Sequence, residues 1–425
     1  MKIIDVIASP GLTGFFFDDQ LAIKAGASQD GLAYVGEPVT PGFTAVRQRG
    51  ESISVMLVLE DGQVAYGDCA AVQYSGAGGR DPLFLANEFI PIILEEIRPK
   101  LVEQELDSFR RLADEVEHSV RPNGERYHTA IRYGVSQAIL DAVAKARKVT
   151  MTEVIVQEYD LPLVIEPVPV FAQSGDARYD NADKAILKRA GVLPHALINN
   201  VEKKLGKNGE LLLEYVNWLR ERVIKLGDPA YRPVLHIDVY GTIGAAFDDD
   251  VEKMVAYFKQ LEKAADPLHL RIEGPMDAGS KEGQIQQIKA LRDALREAGV
   301  KVEVVADEWC NTYEDIVEFV DQQAADMVQI KTPDLGGIQN TIAAILYAKK
   351  HGVGAYLGGS CNETDSGGRT AAHVAVATQP DQMLAKPGMG VDEGYMIVHN
   401  EMNRTLEYLR YKEKKKTHAQ DAFWS

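Results

Sequence analysis

The second part of the sequence alternates between short strand-like runs and amphipathic helical runs, and this alternation restricts the fold more than any other feature. It continues from Pro162 to about residue 390, and the candidate strands lie near 168–173, 196–201, 234–239, 268–273, 301–307, 327–331, 354–358 and 382–385. Eight strand-helix units predict an α/β fold, a (β/α)8 TIM-like barrel over residues 163–390. A doubly wound parallel sheet is the alternative.

The residues before the barrel have a different spacing of apolar residues. To about Ala71 they read as strands, most clearly in two apolar runs joined by Asp61-Gly62, a dipeptide that tolerates the positive φ of a hairpin turn. Between residues 82 and 159 the apolar spacing becomes helical. Residues 1–162 are therefore expected to form an N-terminal α+β capping domain.

Composition excludes several classes of function. Lys plus Arg number 46 and Asp plus Glu 63, a net charge of −17, so the surface should repel nucleic acid and anionic membranes. The start lacks an apolar signal region and no run is long enough to cross a bilayer, which predicts a cytoplasmic protein. Three scattered cysteines fit a reducing compartment.

Residues 391–425 are expected to form a helical tail, whose basic run 412–416 would be a solvated face.

Three successive candidate strands end in an acid, at Asp238, Glu273 and Asp307, which follow one another by 35 and 34 residues. Because side chains alternate along a strand, the apolar residue before each acid should face the helices and the acids should face the barrel axis. Three converging carboxylates require a hard divalent cation, Mg²⁺ or Mn²⁺ rather than zinc. The alternative is three unrelated acids that cap loops or pair with lysines.

Lys331 follows Asp307 by 24 residues and shares the inward phase of its strand with Gln329. A nearby metal cation and partial burial both disfavour an ammonium group, so the pKa of Lys331 is expected to be lowered and its neutral amine to serve as a general base. The alternative is a salt bridge between Lys331 and one of the acids.

The three acids followed by Lys331 resemble the enolase superfamily, whose sites combine a Lys or His base with Mg²⁺. Within it, the chain resembles the methylaspartate ammonia-lyase family over essentially its whole length. The segments that carry this resemblance are Val170-Phe-Ala-Gln173, Leu193-Pro-His-Ala-Leu-Ile-Asn-Asn-Val201, Gln329-Ile-Lys331, Gly358-Gly-Ser-Cys-Asn-Glu-Thr364 and Lys386-Pro-Gly-Met-Gly-Val-Asp-Glu-Gly394. Ser360 is a departure, since threonine is expected there, but the hydroxyl is kept.

The resemblance implies a carbon-nitrogen lyase that removes the C3 proton of L-threo-3-methylaspartate and eliminates ammonia to give mesaconate. Lys331 would be the base, and His195 the base on the opposite face, although a lone histidine beside an apolar run is more often structural. The implied substrate contacts are Gln329 for the C4 carboxylate, Gln173, Ser360 and Cys361 for the C1 carboxylate, Gln73 for the amine, and Phe171, Tyr356 and Leu384 for the methyl group.

The resemblance also implies a homodimer, activation by K⁺ and a place in glutamate degradation through mesaconate.

The residues leave two other hypotheses about function open. One is a different enolase-type enzyme, such as a racemase, cycloisomerase or dehydratase; these commonly carry Lys-x-Lys on the second barrel strand, where this chain has His195-Ala-Leu. The other is a barrel that binds an anionic metabolite or a partner protein, which has no reason to gather three acids and Lys331.

Overall fold

The structure, a computed structural model, describes residues 1–77 and 79–421, with the backbone alone for 416–421. A three-stranded antiparallel sheet and a group of helices come first. They are followed by a closed barrel of eight parallel strands with helices outside, and then by a long helix. The predicted (β/α)8 barrel with an N-terminal α+β cap is confirmed, and the doubly wound sheet is excluded.

Among the described residues the strands are β1 (Ile3–Asp18), β2 (Ser28–Asp30), β3 (Ala33–Val35), β4 (Arg47–Leu59), β5 (Val64–Cys69), β6 (Val170–Phe171), β7 (Val192–His195), β8 (Val234–Asp238), β9 (Leu270–Glu273), β10 (Glu303–Ala306), β11 (Met327–Ile330), β12 (Gly354–Leu357) and β13 (Gln382–Leu384). The last eight close the barrel in chain order, so β13 pairs with β6.

The α-helices of the same residues are α1 (Gln20–Lys24), α2 (Ala86–Ile92), α3 (Arg98–Leu101), α4 (Phe109–His118), α5 (Thr129–Arg147), α6 (Met151–Glu158), α7 (Arg178–Leu187), α8 (Glu210–Leu226), α9 (Thr242–Ala246), α10 (Val251–Ala265), α11 (Lys281–Glu297), α12 (Tyr313–Asp321), α13 (Ile338–Lys350), α14 (Asp365–Thr378) and α15 (Glu393–Asp421). Ile93–Ile97 and Val201–Leu205 are π-helical turns.

The N-terminal sheet has the order β1-β4-β5, and the turn between β4 and β5 is at Asp61-Gly62, as predicted. Gly62 has a φ of 86°, which explains the glycine at this position. Helix α5 packs closely on β5, because a Cβ atom at Gly67 would lie only 2.2 Å from the carbonyl oxygen of Gly134. The missing side chain at Gly67 thus permits the sheet and the helix to touch.

Seven of the eight predicted barrel strands overlap the observed strands, but the second is displaced. It was expected near 196–201 and instead spans Val192–His195. The backbone turns into the left-handed region at three successive residues, His195, Ala196 and Leu197, whose φ values are 70°, 77° and 42°. This turn ends the strand and leaves His195 at its carboxyl end.

Side-chain alternation along the barrel strands follows the prediction. Ile237, Ile272 and Ala306 are buried in the main core between strands and helices. The barrel interior holds a separate apolar cluster of Phe171, Val192, Val305, Met327, Tyr356 and Leu384. Because this cluster fills the barrel beneath its carboxyl-terminal mouth, the polar side chains at the strand ends pack against apolar side chains on the inner side.

Most of the expected C-terminal tail is helical, since α15 spans Glu393–Asp421, and residues 422–425 lie outside the described residues. Its basic run is not simply a solvated face, because Lys412 Nζ lies 2.6 Å from Glu153 Oε1 of α6. The expectation for the side chain of Lys416 lies outside the described residues. No helix in the described part of the chain is both long enough and apolar enough to span a membrane.

Candidate active site

A cavity opens at the carboxyl-terminal mouth of the barrel, beneath a segment of the N-terminal cap. Most of the side chains predicted to form the site line it: Gln73, Gln173, His195, Asp238, Asp307, Gln329, Lys331, Tyr356, Ser360, Cys361 and Leu384. The other two lie directly behind the wall. Phe171 has its ring centroid 5.6 Å from that of His195, and Glu273 pairs in register with Asp238. The structure therefore gathers all the predicted site residues at one place.

The three acids are buried at the ends of β8, β9 and β10. Burial raises the pKa of Asp238, and Asp307 raises it further. Burial likewise raises the pKa of Glu273, with added repulsion from Asp238 and Asp307. The charged forms of Asp238 and Glu273 are thus both destabilised by burial and by neighbouring carboxylates. Such a group of buried anions needs a compensating cation.

Among the described residues, one set of possible metal-ligating atoms lies close together in this cluster. His195, Asp238 and Glu273 each offer an atom within 4.8 Å of the others. Asp307, the third predicted ligand, instead turns one oxygen towards Lys331, with Nζ 2.5 Å from Oδ1. That buried oxygen lacks a hydrogen bond of good geometry. An all-carboxylate set suits Mg²⁺, whereas a set with an imidazole is typical of softer metals. The unsatisfied oxygen of Asp307 fits the all-carboxylate set.

Lys331 lies just beyond β11 and is almost completely buried. Burial acts to lower its pKa, but the carboxylates of Asp307 and Glu308 outweigh burial and the pKa is raised. The expected lowering of the Lys331 pKa is not what the structure shows, because the Asp307 carboxylate lies closer to Nζ than the strand pattern could indicate. The alternative of a Lys331 salt bridge with one of the acids is what the structure shows.

His195 lies at the end of β7, with Nε2 3.6 Å from Asp238 Oδ2. Burial, together with the positive charge of Lys331, lowers its pKa to about 4. The imidazole is therefore neutral near pH 7. Its Nδ1 has no hydrogen-bond partner among the described residues, so one ring nitrogen remains available to a ligand.

The polar side chains around the acids are partly engaged with the protein. Gln329 donates through Nε2 to Glu273 Oε1, and Gln173 donates through Nε2 to the carbonyl of Ala385 over 3.0 Å. The Gln329 amide nitrogen keeps a second hydrogen for a ligand, whereas Gln173 Nε2 also donates to the carbonyl of Gly388, over 3.3 Å. Burial raises the pKa of the Cys361 thiol to about 12, so the group is a protonated thiol near pH 7 and not a reactive thiolate.

Sequence reasoning missed two groups that support the site. His236, two residues before Asp238 and in the same inward phase, contacts Glu273 through Nε2 at 2.8 Å. Lys386 and Glu363 form a fully buried ion pair of 2.9 Å beneath the loop that carries Ser360. The position of His236, two residues before Asp238 on the same strand, could have predicted that its side chain points into the barrel. Lys386 and Glu363 belong to segments that carry the resemblance, yet neither had been given a role.

The fold and the ladder of acids place the chain in a broad class, the enolase-type barrels. An L-Ala-D/L-Glu epimerase of Bacillus subtilis has the same fold, with a TM-score of 0.62 at 18% identity over 93% of this chain and 91% of that chain. Within that class, family models for the N-terminus and the C-terminus of methylaspartate ammonia-lyase match residues 1–160 and 162–411. The chain belongs to the methylaspartate ammonia-lyase family.

Two solved structures show how similar these relatives are. The Mg-complex of β-methylaspartase from Clostridium tetanomorphum is 62% identical, with a TM-score of 0.94 over 97% of this chain and all of that chain. The methylaspartate ammonia-lyase of Citrobacter amalonaticus containing (2S,3S)-3-methylaspartic acid is 56% identical, with a TM-score of 0.95 over 96% of this chain and 100% of that chain. Both comparisons span the cap and the barrel together.

Proposed function

We propose that this chain is a methylaspartate ammonia-lyase, which takes the C3 proton from L-threo-3-methylaspartate and eliminates ammonia to give mesaconate with the aid of Mg²⁺. The observation that carries the proposal is the position of Asp238, Asp307 and Lys331 around one cavity, with Glu273 behind its wall, in a chain that belongs to this family. The Clostridium relative is described as a Mg-complex, and the Citrobacter relative contains 3-methylaspartic acid.

Asp238, Glu273 and Asp307 would hold the metal. Their crowding supports this assignment, since burial and mutual repulsion raise the pKa of Asp238 and Glu273. Bound there, Mg²⁺ would neutralise the charge that develops on the substrate carboxylate when the adjacent carbon loses its proton. Mn²⁺ is a suitable substitute, because it also accepts oxygen ligands.

Lys331 would be the base that removes the C3 proton. Burial acts to lower the pKa of Lys331 while the Asp307 carboxylate raises it. An Asp307 engaged as a ligand elsewhere would remove the largest of the contributions that raise this pKa and so favour the neutral amine. The electron pair of the broken C3–H bond forms the double bond between C2 and C3, and the bond from C2 to nitrogen breaks to release ammonia.

His195 would act on the opposite face of the substrate and serve as the base for the other C3 configuration. Its lowered pKa keeps the ring neutral near pH 7, and a neutral ring nitrogen can accept a proton. The free Nδ1 is consistent with such a role.

The remaining side chains of the cavity would orient the substrate. We assign Gln329 to the C4 carboxylate, Gln173, Ser360 and Cys361 to the C1 carboxylate, Gln73 to the amine, and Phe171, Tyr356 and Leu384 to the methyl group. An apolar pocket distinguishes one methylene by about 1–3 kcal/mol. The methyl-binding group should therefore favour, without strictly enforcing, the 3-methyl substrate.

The cap would exclude water from the reacting carbon. Gln73 and Arg80 reach the cavity from the cap, and Arg80 Nε lies 2.9 Å from Asp334 Oδ2 on the loop after β11. This ion pair joins the cap to the loop that follows Lys331. Keeping water out strengthens the electrostatic interactions within the site.

The proposal extends to a cytoplasmic homodimer that K⁺ activates and that takes part in glutamate degradation through mesaconate. Family membership supports these points. The net charge of −17 supports a small-molecule substrate over nucleic acid or a membrane as partner.

The proposal is tested by following the absorbance of the conjugated diacid while the purified protein is incubated with L-threo-3-methylaspartate and Mg²⁺. Mesaconate should accumulate and one ammonia should be released with each mesaconate formed. A chelator should stop the reaction, and added Mg²⁺ should restore it. Folded, metal-loaded protein that releases neither product would contradict the proposal.

A further inference from the structure

Asp18 is a carboxylate buried at the end of β1, next to the active-site cavity but not on its wall. It is 1% exposed. Arg47 is its cross-strand partner on β4 and donates to both carboxylate oxygens, through Nε to Oδ1 and through Nη2 to Oδ2, each over 2.6 Å. The paired hydrogen bonds fix the plane of the Asp18 carboxylate.

A third donor reaches the same carboxylate from the cavity side. Gln73 Nε2 donates to Asp18 Oδ2 over 2.5 Å, and the Asp18 backbone N–H donates to the Gln73 carbonyl over 3.0 Å. A carboxylate accepts hydrogen bonds and cannot donate them, so Gln73 must turn its nitrogen towards Asp18. Its oxygen Oε1 is consequently turned towards Cys361, whose Sγ lies 3.4 Å away.

We infer that Asp18, held by Arg47, is a positioning residue for amine recognition, because it turns the Gln73 oxygen towards the substrate nitrogen. The inference rests on the proposed function, since an aspartate derivative brings an ammonium group into the cavity. An ammonium group can only donate hydrogen bonds. Gln73 with its amide reversed would direct two further donors at that group. The orientation of one amide thus decides between attraction and repulsion.

Asp18→Asn isolates this effect with little change in shape. Arg47 donates one hydrogen bond to each oxygen of Asp18, and Gln73 donates to Oδ2. The new amide has a single oxygen and no charge, so the orientation that puts its nitrogen at the Oδ2 position removes the acceptor of Gln73. Gln73 would then reverse, accept with Oε1 and direct its own nitrogen into the cavity. Ammonia recognition should weaken, while the groups assigned to the substrate carboxylates stay in place.

The reverse reaction separates the two kinds of recognition, because mesaconate and ammonia bind as separate substrates. Asp18→Asn is expected to raise the KM for ammonia about tenfold, the factor for one hydrogen bond to a charged group. The KM for mesaconate should stay within about twofold of the wild-type value. An unchanged KM for ammonia, or an equal rise in both KM values, would overturn the inference in favour of a purely structural link.

Glu96→Gln is the matched control. Glu96 also accepts two hydrogen bonds from one arginine, Arg121, at 3.2 and 3.0 Å within the cap, but it does not line the cavity. This variant should leave both KM values unchanged. A selective rise in the KM for ammonia here would also overturn the inference, since loss of any such pair would then suffice.

A second substitution tests the direction of the amide. In the Asp18→Asn background, Gln73→Glu supplies one oxygen to the new amide nitrogen and one to the ammonium, so the KM for ammonia should recover most of its rise. No recovery would overturn the inference.

If Asp18→Asn does not fold, Arg47→Lys replaces it. The KM for ammonia should again rise selectively, and an unchanged KM for ammonia would overturn the inference. Wild-type protein that forms no mesaconate from 3-methylaspartate would refute the proposed function instead.

Discussion

His236 Nε2 donates a hydrogen bond to Glu273 Oε2 over 2.8 Å, and both side chains are fully buried. The tautomer is set by the other ring nitrogen, because Gln382 Nε2 donates to His236 Nδ1 over 2.9 Å. Gln382 in turn accepts from Arg271 Nη1 over 2.7 Å. Burial, followed by the charge of Arg271, lowers the pKa of His236 and keeps it neutral. A chain of hydrogen bonds therefore orients one of the proposed metal ligands.

His236→Ala should weaken Mg²⁺ binding about 10- to 100-fold, because a partner that orients a metal ligand typically contributes that much affinity. Isothermal titration of metal-free protein with Mg²⁺ measures the effect without an activity assay. His351→Ala, at an exposed histidine after α13, is the control and should bind Mg²⁺ normally. Wild-type affinity in His236→Ala would show that Glu273 does not need this partner.

Lys331→Ala should lower kcat for the threo substrate by about 10²- to 10⁴-fold, the usual contribution of a positioned general base. Mg²⁺ affinity should not weaken, because the substitution removes a cation that competes for Asp307. Stopped-flow absorbance gives the first quantity and titration the second. Lys253→Ala, at an exposed lysine of α10, should change neither. A near-normal rate in Lys331→Ala would end its assignment as the base.

Lys386→Met should destabilise the fold by about 3–5 kcal/mol, because it leaves the Glu363 carboxylate buried without its cation. Glu363 also accepts from Tyr133 Oη over 2.6 Å, so the pair links the cap to the barrel. Urea unfolding monitored by circular dichroism measures the loss. Adding Glu363→Gln should recover part of the stability; a double variant no better than the single one would argue against charge burial as the cause.

His128 should make stability depend on pH below neutrality. Its Nδ1 accepts the Ala130 N–H at the start of α5, and burial lowers its pKa from the ordinary value of 6.5. The unfolded chain therefore binds a proton below pH 6.5 that the folded chain resists, and stability falls as pH decreases.

His128→Asn keeps a capping side chain without the titrating ring. The free energy of unfolding of the wild type should decline more steeply between pH 7 and 5.5 than that of the variant, by at most about 1.4 kcal/mol per pH unit. Urea unfolding at several pH values measures both slopes. Parallel slopes would mean that His128 does not contribute.

Much of the site could be predicted because the strand period is strict. Alternation alone puts Asp238, Glu273 and Asp307 on the inner side of successive strands, and the same argument carries Gln329 and Lys331. It would also have found His236, two residues before Asp238. Where spacing along one strand decides the direction of a side chain, the sequence is sufficient.

Other features depend on distant contacts that spacing does not report. The apolar run after His195 looks like a strand, yet the backbone becomes left-handed at His195, Ala196 and Leu197. The raised pKa of Lys331 follows from the direction in which the Asp307 side chain turns. Asp18 and Gln73 are 55 residues apart and meet only because the cap folds back on itself after β5. Such relationships require the tertiary structure.

Anomalous diffraction from crystals soaked with Mn²⁺ tests most directly whether the three strand-end acids share one metal ion. We expect a single strong peak bounded by carboxylate oxygens of Asp238, Glu273 and Asp307, with Lys331 Nζ released from Asp307. A peak held by His195, Asp238 and Glu273, with Asp307 still paired to Lys331, would contradict the assignment. So would the absence of any peak at the mouth of the barrel.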